Sequence, residues 1–356
     1  LYRGEFNVNT MNKLYAGVML GALSLVSASP AFAGAIIYNT GSAATATVAL
    51  GINNEGHLNT NDTPGGNIVS NSGVTGLAYK AADGSWRDAT SPGCYCEGWG
   101  VSASTSSGSV SGYANISSDG GAINLTAGAI ATDAAAGSGT FATTTASLTS
   151  TPGLSVVHAY SAADTSSVLF KSVVTISNNT GATINDVKYV RVMDWDIPPT
   201  EFNEYVTIQG TATTTLLEKS HNNGFNTANP LNDYGQIYSY CGVDVDFVDC
   251  GAADHGAYFR FNFGSLADGE SVDFTIFYGA ARTEALANVA VSAEDIELYS
   301  YGQQSGAPST GTPATFIFGF KGVGGTPVNP VPEPASLILM GLGLLGLGAT
   351  QRRRKA

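Results

Sequence analysis

The chain has 356 residues, 43% of them apolar and only 12% charged, with 44 glycines and a formal net charge of −13. That apolar fraction supports a substantial core, and the scarcity of Glu, Lys and Leu disfavours a helical protein. Between Gly34 and Pro330, nine Lys and Arg stand against 26 Asp and Glu, a charge of −17; a field of that sign repels phosphate backbones and excludes nucleic acid as a partner.

From Met11 the chain reads MNKLYAGVMLGALSLVSASPAFAGA. Lys13 supplies a positive start, Leu14 to Val26 an apolar stretch, and Ala31-Phe32-Ala33 a small-x-small cleavage site. Residues 11–33 are therefore expected to be a secretory signal peptide, cut by signal peptidase so that the mature protein begins near Gly34. Residues 1–10 are set aside as an upstream remnant. An exported chain meets oxidising conditions, so its four cysteines are expected in disulfides. Cys94 and Cys96 lie close together in GCYCEG, whereas Cys241 and Cys250 enclose eight residues. Three connectivities exist; pairing Cys241 with Cys250, which leaves Cys94 with Cys96, is preferred.

Residues 34–321 read as one β body. The stretch 101–150 is rich in Ser, Thr, Ala and Gly yet alternates in pieces such as YANIS, as weakly specified strands at a sheet edge would. Strands are expected at 154–160, 167–177, 184–194, 205–209 and 313–320, each bounded by turn formers. GAYFRFNFG and SVDFTIFYG alternate cleanly on either side of GSLADGE and read as a hairpin. TEALANVAVSAEDIELYS alone looks helical, with Thr283 as N-cap and Glu284 at the positive helix end. The expectation is an all-β fold, a large β-sandwich with one short helix.

Two acidic stretches could carry chemistry. MDWDIPPTEFNEY sets Asp194, Asp196, Glu201 and Glu204 around Trp195. Carboxylates beside an aromatic platform suit sugar contact by Asp194, Trp195 and Asp196, or a glycosidase acid pair drawn from the four acids. The competing structural reading pairs Asp194 and Asp196 with Arg191. CGVDVDFVDCGAADHG concentrates Asp244, Asp246, Asp249 and Asp254. Hard oxygen ligands at alternate positions suit Ca²⁺, with Asp244, Asp246 and Asp249 as ligands, although Asp249 falls one residue late for an EF-hand. His57, His158, His221 and His255 are scattered and read as polar strand or loop residues. Neither HExxH, GxSxG nor a phosphate-binding loop occurs, so catalysis is not the favoured reading and no cofactor beyond a structural calcium is expected.

The chain closes with a Gly/Pro linker, 322–334, and a segment, 335–356, that reads VPEPASLILMGLGLLGLGATQRRRKA from Val331 onward. Ala335 to Thr350, at about 1.5 Å per helical residue, falls short of a bilayer core of about 30 Å, and the Arg cluster stops transfer with the tail cytoplasmic. Val331, Pro332, Glu333 and Pro334, the apolar span and the basic end together resemble the PEP-CTERM sorting signal of Gram-negative bacteria. The resemblance implies a precursor anchored in the inner membrane by a transmembrane sorting helix and an exosortase-type membrane protease that cuts near the PEP motif. It places the mature form at the cell surface or outside, commonly alongside extracellular polysaccharide. VVTISNNTGATINDVKYVRVMDWD and LADGESVDFTIFYG resemble strand pairs of the mutarotase-like supersandwich domains of carbohydrate-related proteins, and the body as a whole resembles functionally unassigned PEP-CTERM proteins. The functional expectation is a structural or glycan-interacting component of the cell surface or extracellular matrix. Its rivals are a carbohydrate-active enzyme on a supersandwich and a calcium-dependent adhesion module.

Overall fold

A computed structural model describes residues 34–61, 73–94, 96–115, 121–305 and 315–329. The signal peptide with Ala31 and Ala33, the sorting motif Val331 to Pro334 and the C-terminal apolar segment lie outside the described residues. Among those described, no helix is long and apolar enough to cross a membrane.

The described strands form three antiparallel sheets. A four-stranded sheet runs in order β1 (Gly34–Tyr38), β2 (Val48–Asn53), β3 (Leu77–Lys80) and β4 (Trp86–Asp88). A six-stranded sheet orders β15 (Leu217–His221), β17 (His255–Asn262), β13 (Asn185–Trp195), β5 (Glu97–Thr105), β6 (Gly108–Asn115) and β7 (Gly121–Ile123). The largest sheet orders β16 (Phe247–Ala253), β14 (Glu204–Gln209), β19 (Leu298–Gln304), β20 (Thr315–Lys321), β18 (Ser271–Ala281), β12 (Leu169–Asn178), β11 (Thr151–Ala162), β10 (Phe141–Leu148) and β8 (Leu125–Ala127), with β9 (Ala131–Thr132) also on β10.

Period-two patterning explains how the two large sheets meet. In β12 the buried positions Phe170, Ser172, Val174, Ile176 and Asn178 alternate with half-buried ones, so every second side chain enters the interior. Tyr189, Phe259 and Phe261 from the six-stranded sheet meet Phe274, Phe318 and Phe320 from the larger one in a single core. These rings pair at centroid separations of 4.8–6.2 Å, a range in which edge-to-face and offset contacts are favourable.

The two strands expected to form a hairpin exist, but they do not pair. β17 joins the six-stranded sheet beside β13, and β18 joins the larger sheet between β12 and β20. Each has an inner face rich in aromatic residues, and burying both is achieved by facing them across the core, where Phe261 meets Phe274. The helix α1 (Glu284–Ala293) forms where expected, with the Thr283 hydroxyl accepting from the Leu286 backbone N–H at 3.3 Å. It packs Ala287, Ala290 and Val291 on the outer face of the larger sheet against Leu169, Phe277 and Ile317. The low-complexity stretch supplies β5 to β10, and its β7 and β8 lie at the edges of the two large sheets.

Candidate metal centre

β13 divides its side chains between two environments. Tyr189, Arg191, Met193 and Trp195 point into the core shared by the two large sheets, whereas Val190 and Val192 on the opposite face pack on Ala228 and Tyr258. Arg191 and Asp194 differ in parity, so they cannot share a face. The expected pairing of Arg191 with Asp194 or Asp196 is thus replaced by one with Glu97. Both partners are fully buried, and the guanidinium donates from Nε and Nη2 to the two carboxylate oxygens. Its Nη1 donates to the Gly56 carbonyl at 3.1 Å and the Tyr189 hydroxyl at 3.2 Å, and the Leu58 N–H donates to Glu97 at 2.7 Å.

Trp195 is also buried: its ring lies near Phe316 and its Nε1 donates to the Ser300 hydroxyl at 3.1 Å. It presents no open face to a sugar. The four histidines lie on strands or, for His57, in a loop, and all four are buried. Loss of water pushes His57 down to about 3, helped by Arg191, and His255 down to about 4, so both are neutral at neutral pH.

In the acidic loop that the sequence assigns to calcium, two carboxylates are held by nearby donors. Asp244 accepts from the Ser220 N–H and Lys219 Nζ, at 2.7 and 3.1 Å. Asp246 accepts from the N–H and hydroxyl of Thr211, at 2.8 and 2.7 Å. The Asp249 N–H donates to the Thr207 hydroxyl on a neighbouring strand. The carboxylates of Asp244 and Asp246 are thus engaged by separate donors, Ser220 and Lys219 for one and Thr211 for the other.

Asp254 from that loop does reach a centre, joined by Asp194 and Asp196 from the other acidic stretch. One oxygen from each of the three carboxylates lies within 4.8 Å of the others. Asp194 is the last residue but one of β13, Asp196 lies just beyond the strand, and Asp254 separates β16 from β17 where the chain passes from the larger sheet to the six-stranded one. Backbone bonds hold the group: the Asp194 N–H donates to the Cys96 carbonyl at 2.9 Å and the Asp196 N–H to the Ala89 carbonyl at 2.8 Å. Gly256, opposite Asp194 in the register, is needed for the close approach, since a Cβ there would stand 2.0 Å from the Met193 carbonyl. Gly93, at φ +73°, turns the chain over Asp196. The structure pairs Cys94 with Cys96 and Cys241 with Cys250. Cys94 Sγ sits 3.5 Å from Asp194 Oδ2 as a contact, because a bridged sulfur has no hydrogen to donate.

Asp194 and Asp196 are 1% and 0% exposed, yet Asp194 Oδ1 and both oxygens of Asp196 have no hydrogen-bond partner; Asp254 Oδ1 is likewise unpartnered. Burial and then the charges of Asp196 and Asp254 hold Asp194 well above the ordinary carboxylate range. Burial, then Asp254, Glu201 and Asp88, push Asp196 up to about 8. Glu204 is raised to about 9, mainly by burial, although it accepts from the His255 and Asn203 N–H groups at 3.1 and 3.0 Å. Buried carboxylates without donors are costly unless they are neutralised or bind a cation. The donors are oxygens, a set that suits a hard divalent ion over zinc. Half-buried Tyr238 lies beside this group, its phenol raised first by burial and then by Asp254, and its ring is 5.6 Å from that of exposed Tyr240.

The sequence names Asp194 and Asp196 but for sugar contact, and leaves Asp254 out of the ligand set. The only trace of its role is its place beside Asp244 to Asp249 in one acidic run.

A search among curated proteins finds no match to the chain. The family model of the PEP-CTERM protein-sorting motif matches residues 330–354. The chain therefore carries a PEP-CTERM sorting motif at its C-terminal end, the mark of an exported, cell-surface-sorted protein processed by exosortase, ahead of which stands a large β-sheet body of unassigned function.

Proposed function

We propose that the mature body, following a signal peptide over 11–33 and released from its membrane segment near Val331 to Pro334, is a non-catalytic structural and glycan-interacting component of the cell surface or extracellular matrix. Asp194, Asp196 and Asp254 hold a Ca²⁺ ion that ties the end of β13 to the crossing between the two large sheets. The observation that carries this reading is the buried, unpartnered state of Asp194 and Asp196 in a group whose neighbours are acids. Tyr238, which borders the same acids, and Tyr240 beside it replace Trp195 as the aromatic platform. Asp194, Asp196 and Glu204 are too deeply buried for the hydrolytic use of a sugar-cleaving acid pair.

Thermal melts test the site. Ca²⁺ should raise the melting temperature and EDTA lower it, a linkage of about 2.7 kcal/mol when free ion exceeds Kd a hundredfold. Asp254→Asn should abolish the difference. An EDTA-insensitive melt would sink the calcium reading. For the glycan role, Tyr240→Ala should weaken retention on the host's own extracellular polysaccharide without changing the melt.

A further inference from the structure

A groove of about 760 Å³ opens on the side of the body where α1 lies on the larger sheet. Its walls come from the β3–β4 turn, the loop before β12, the end of β18 and one flank of α1. Most of the wall is aliphatic: Ala81, Ala82, Val168, Leu286, Val289 and Ala293 contribute. Leu286 and Val289 are 51% and 64% exposed although they stand on a helix whose other face is packed. The charged side chains of the lining are Lys80 and Arg282, with no acid among them.

In a body that carries −17, two cations without an acid are a local reversal of sign. Acids adjacent in sequence to the lining have other partners, among them Glu284, which accepts from Gln303 Nε2 at 3.1 Å, and Asp164, which pairs with Lys171. Asp83 accepts from Ser85 and Arg87. Glu294 accepts from the Thr165 and Ser166 N–H groups, both at 2.6 Å. Arg282 is exposed and has no carboxylate partner among the described residues. Lys80 donates to the Ala43 carbonyl at 3.3 Å and lies over the Trp86 ring, 5.5 Å from its centre.

We infer that this groove binds a small amphiphile with one aliphatic chain and an anionic head, a carboxylate or phosphate. The chain lies along Leu286, Val289 and Ala293, where it removes exposed hydrocarbon from water. Arg282 and Lys80 take the head, Arg by its planar fork and Lys as a point charge. Aliphatic walls with one aromatic, Tyr79, favour a hydrocarbon chain over a sugar ring, and the volume suits a small molecule. This inference is independent of the cation site.

Titration of the full chain with decanoate and decyl phosphate below their micelle concentrations, followed by calorimetry and by Trp86-dependent fluorescence, tests it. Both amphiphiles should bind one to one. Arg282→Ala should weaken each by about tenfold or more, as expected for a lost charge-assisted contact. Val289→Asp, at an exposed position that leaves folding intact, should weaken both by a similar factor, and decanol should bind less tightly than decanoate. Inorganic phosphate alone should not compete. The inference is overturned if neither amphiphile binds, if Arg282→Ala and Val289→Asp leave binding unchanged, or if phosphate binds as tightly as decyl phosphate.

Discussion

Asp196 and Glu204 have ordinary values of 3.8 and 4.5 but are held at about 8 and about 9 in the folded chain. A carboxyl whose folded value is raised binds more protons in the native state than in the unfolded one. Its contribution to stability is complete below the unfolded value and is lost as pH rises through the folded value. Without a divalent ion, the unfolding free energy should therefore fall between about pH 4 and pH 9, and saturating Ca²⁺ should remove the part of that fall that belongs to Asp196. Denaturant titrations across this window check the prediction, and a fall of equal size in both conditions would contradict it. Arg191 poses the opposite problem. Replacing it by Met leaves Glu97 fully buried without its partner, so Arg191→Met should cost about 3–5 kcal/mol at neutral pH. The cost should shrink in acid, where Glu97 can take up a proton. A variant as stable as the parent at neutral pH would show that the pair is dispensable.

The strand β13 explains how one element serves two functions. Its odd positions from Tyr189 to Trp195 build the core, and its even end delivers Asp194 to the site. β16 reaches the same place from the other sheet, and Cys250 within it is tied to Cys241. His255, next to Asp254, donates its backbone N–H to Glu204 of β14, so the crossing is stitched to the larger sheet. The Cys241–Cys250 bridge spans a sequence separation of 9, and a loop of that length restricts the unfolded chain by about 2.5 kcal/mol. The Cys241→Ser, Cys250→Ser double variant should lose about that much stability, measured by urea unfolding under non-reducing conditions, and should bind Ca²⁺ more weakly because Asp254 follows the bridged strand.

For the molecule as a whole, the sorting motif and the β body make separable claims. If processing occurs at the PEP motif, the intact mass of the native surface-fraction protein should correspond to a chain ending near Pro334. Retention of the apolar span and the Arg cluster in that fraction would refute cleavage. The body is acidic overall, with Lys80 and Arg282 brought together at one groove, and a field of that sign disfavours a phosphate backbone as partner.

Sequence alternation made the strands on either side of GSLADGE legible, and turn-forming boundaries did so for those from 154 to 209 and the one from 313. A capped, breaker-free stretch did the same for α1. The strands of the small sheet were not legible: β1 and β2 are buried on both faces and therefore do not alternate. Composition and the C-terminal motif determined by themselves that the chain is β-rich, acidic and sorted outward, since those properties depend on local residue types. Which strands pair, that Arg191 turns to Glu97, that Trp195 is buried, and that Asp254 joins Asp194 and Asp196 were decided only by the tertiary structure. Alternation specifies which face of a strand is buried but carries no record of which strand lies opposite, and a site built from two distant acidic stretches exists only once the crossing at Asp254 brings the sheets together.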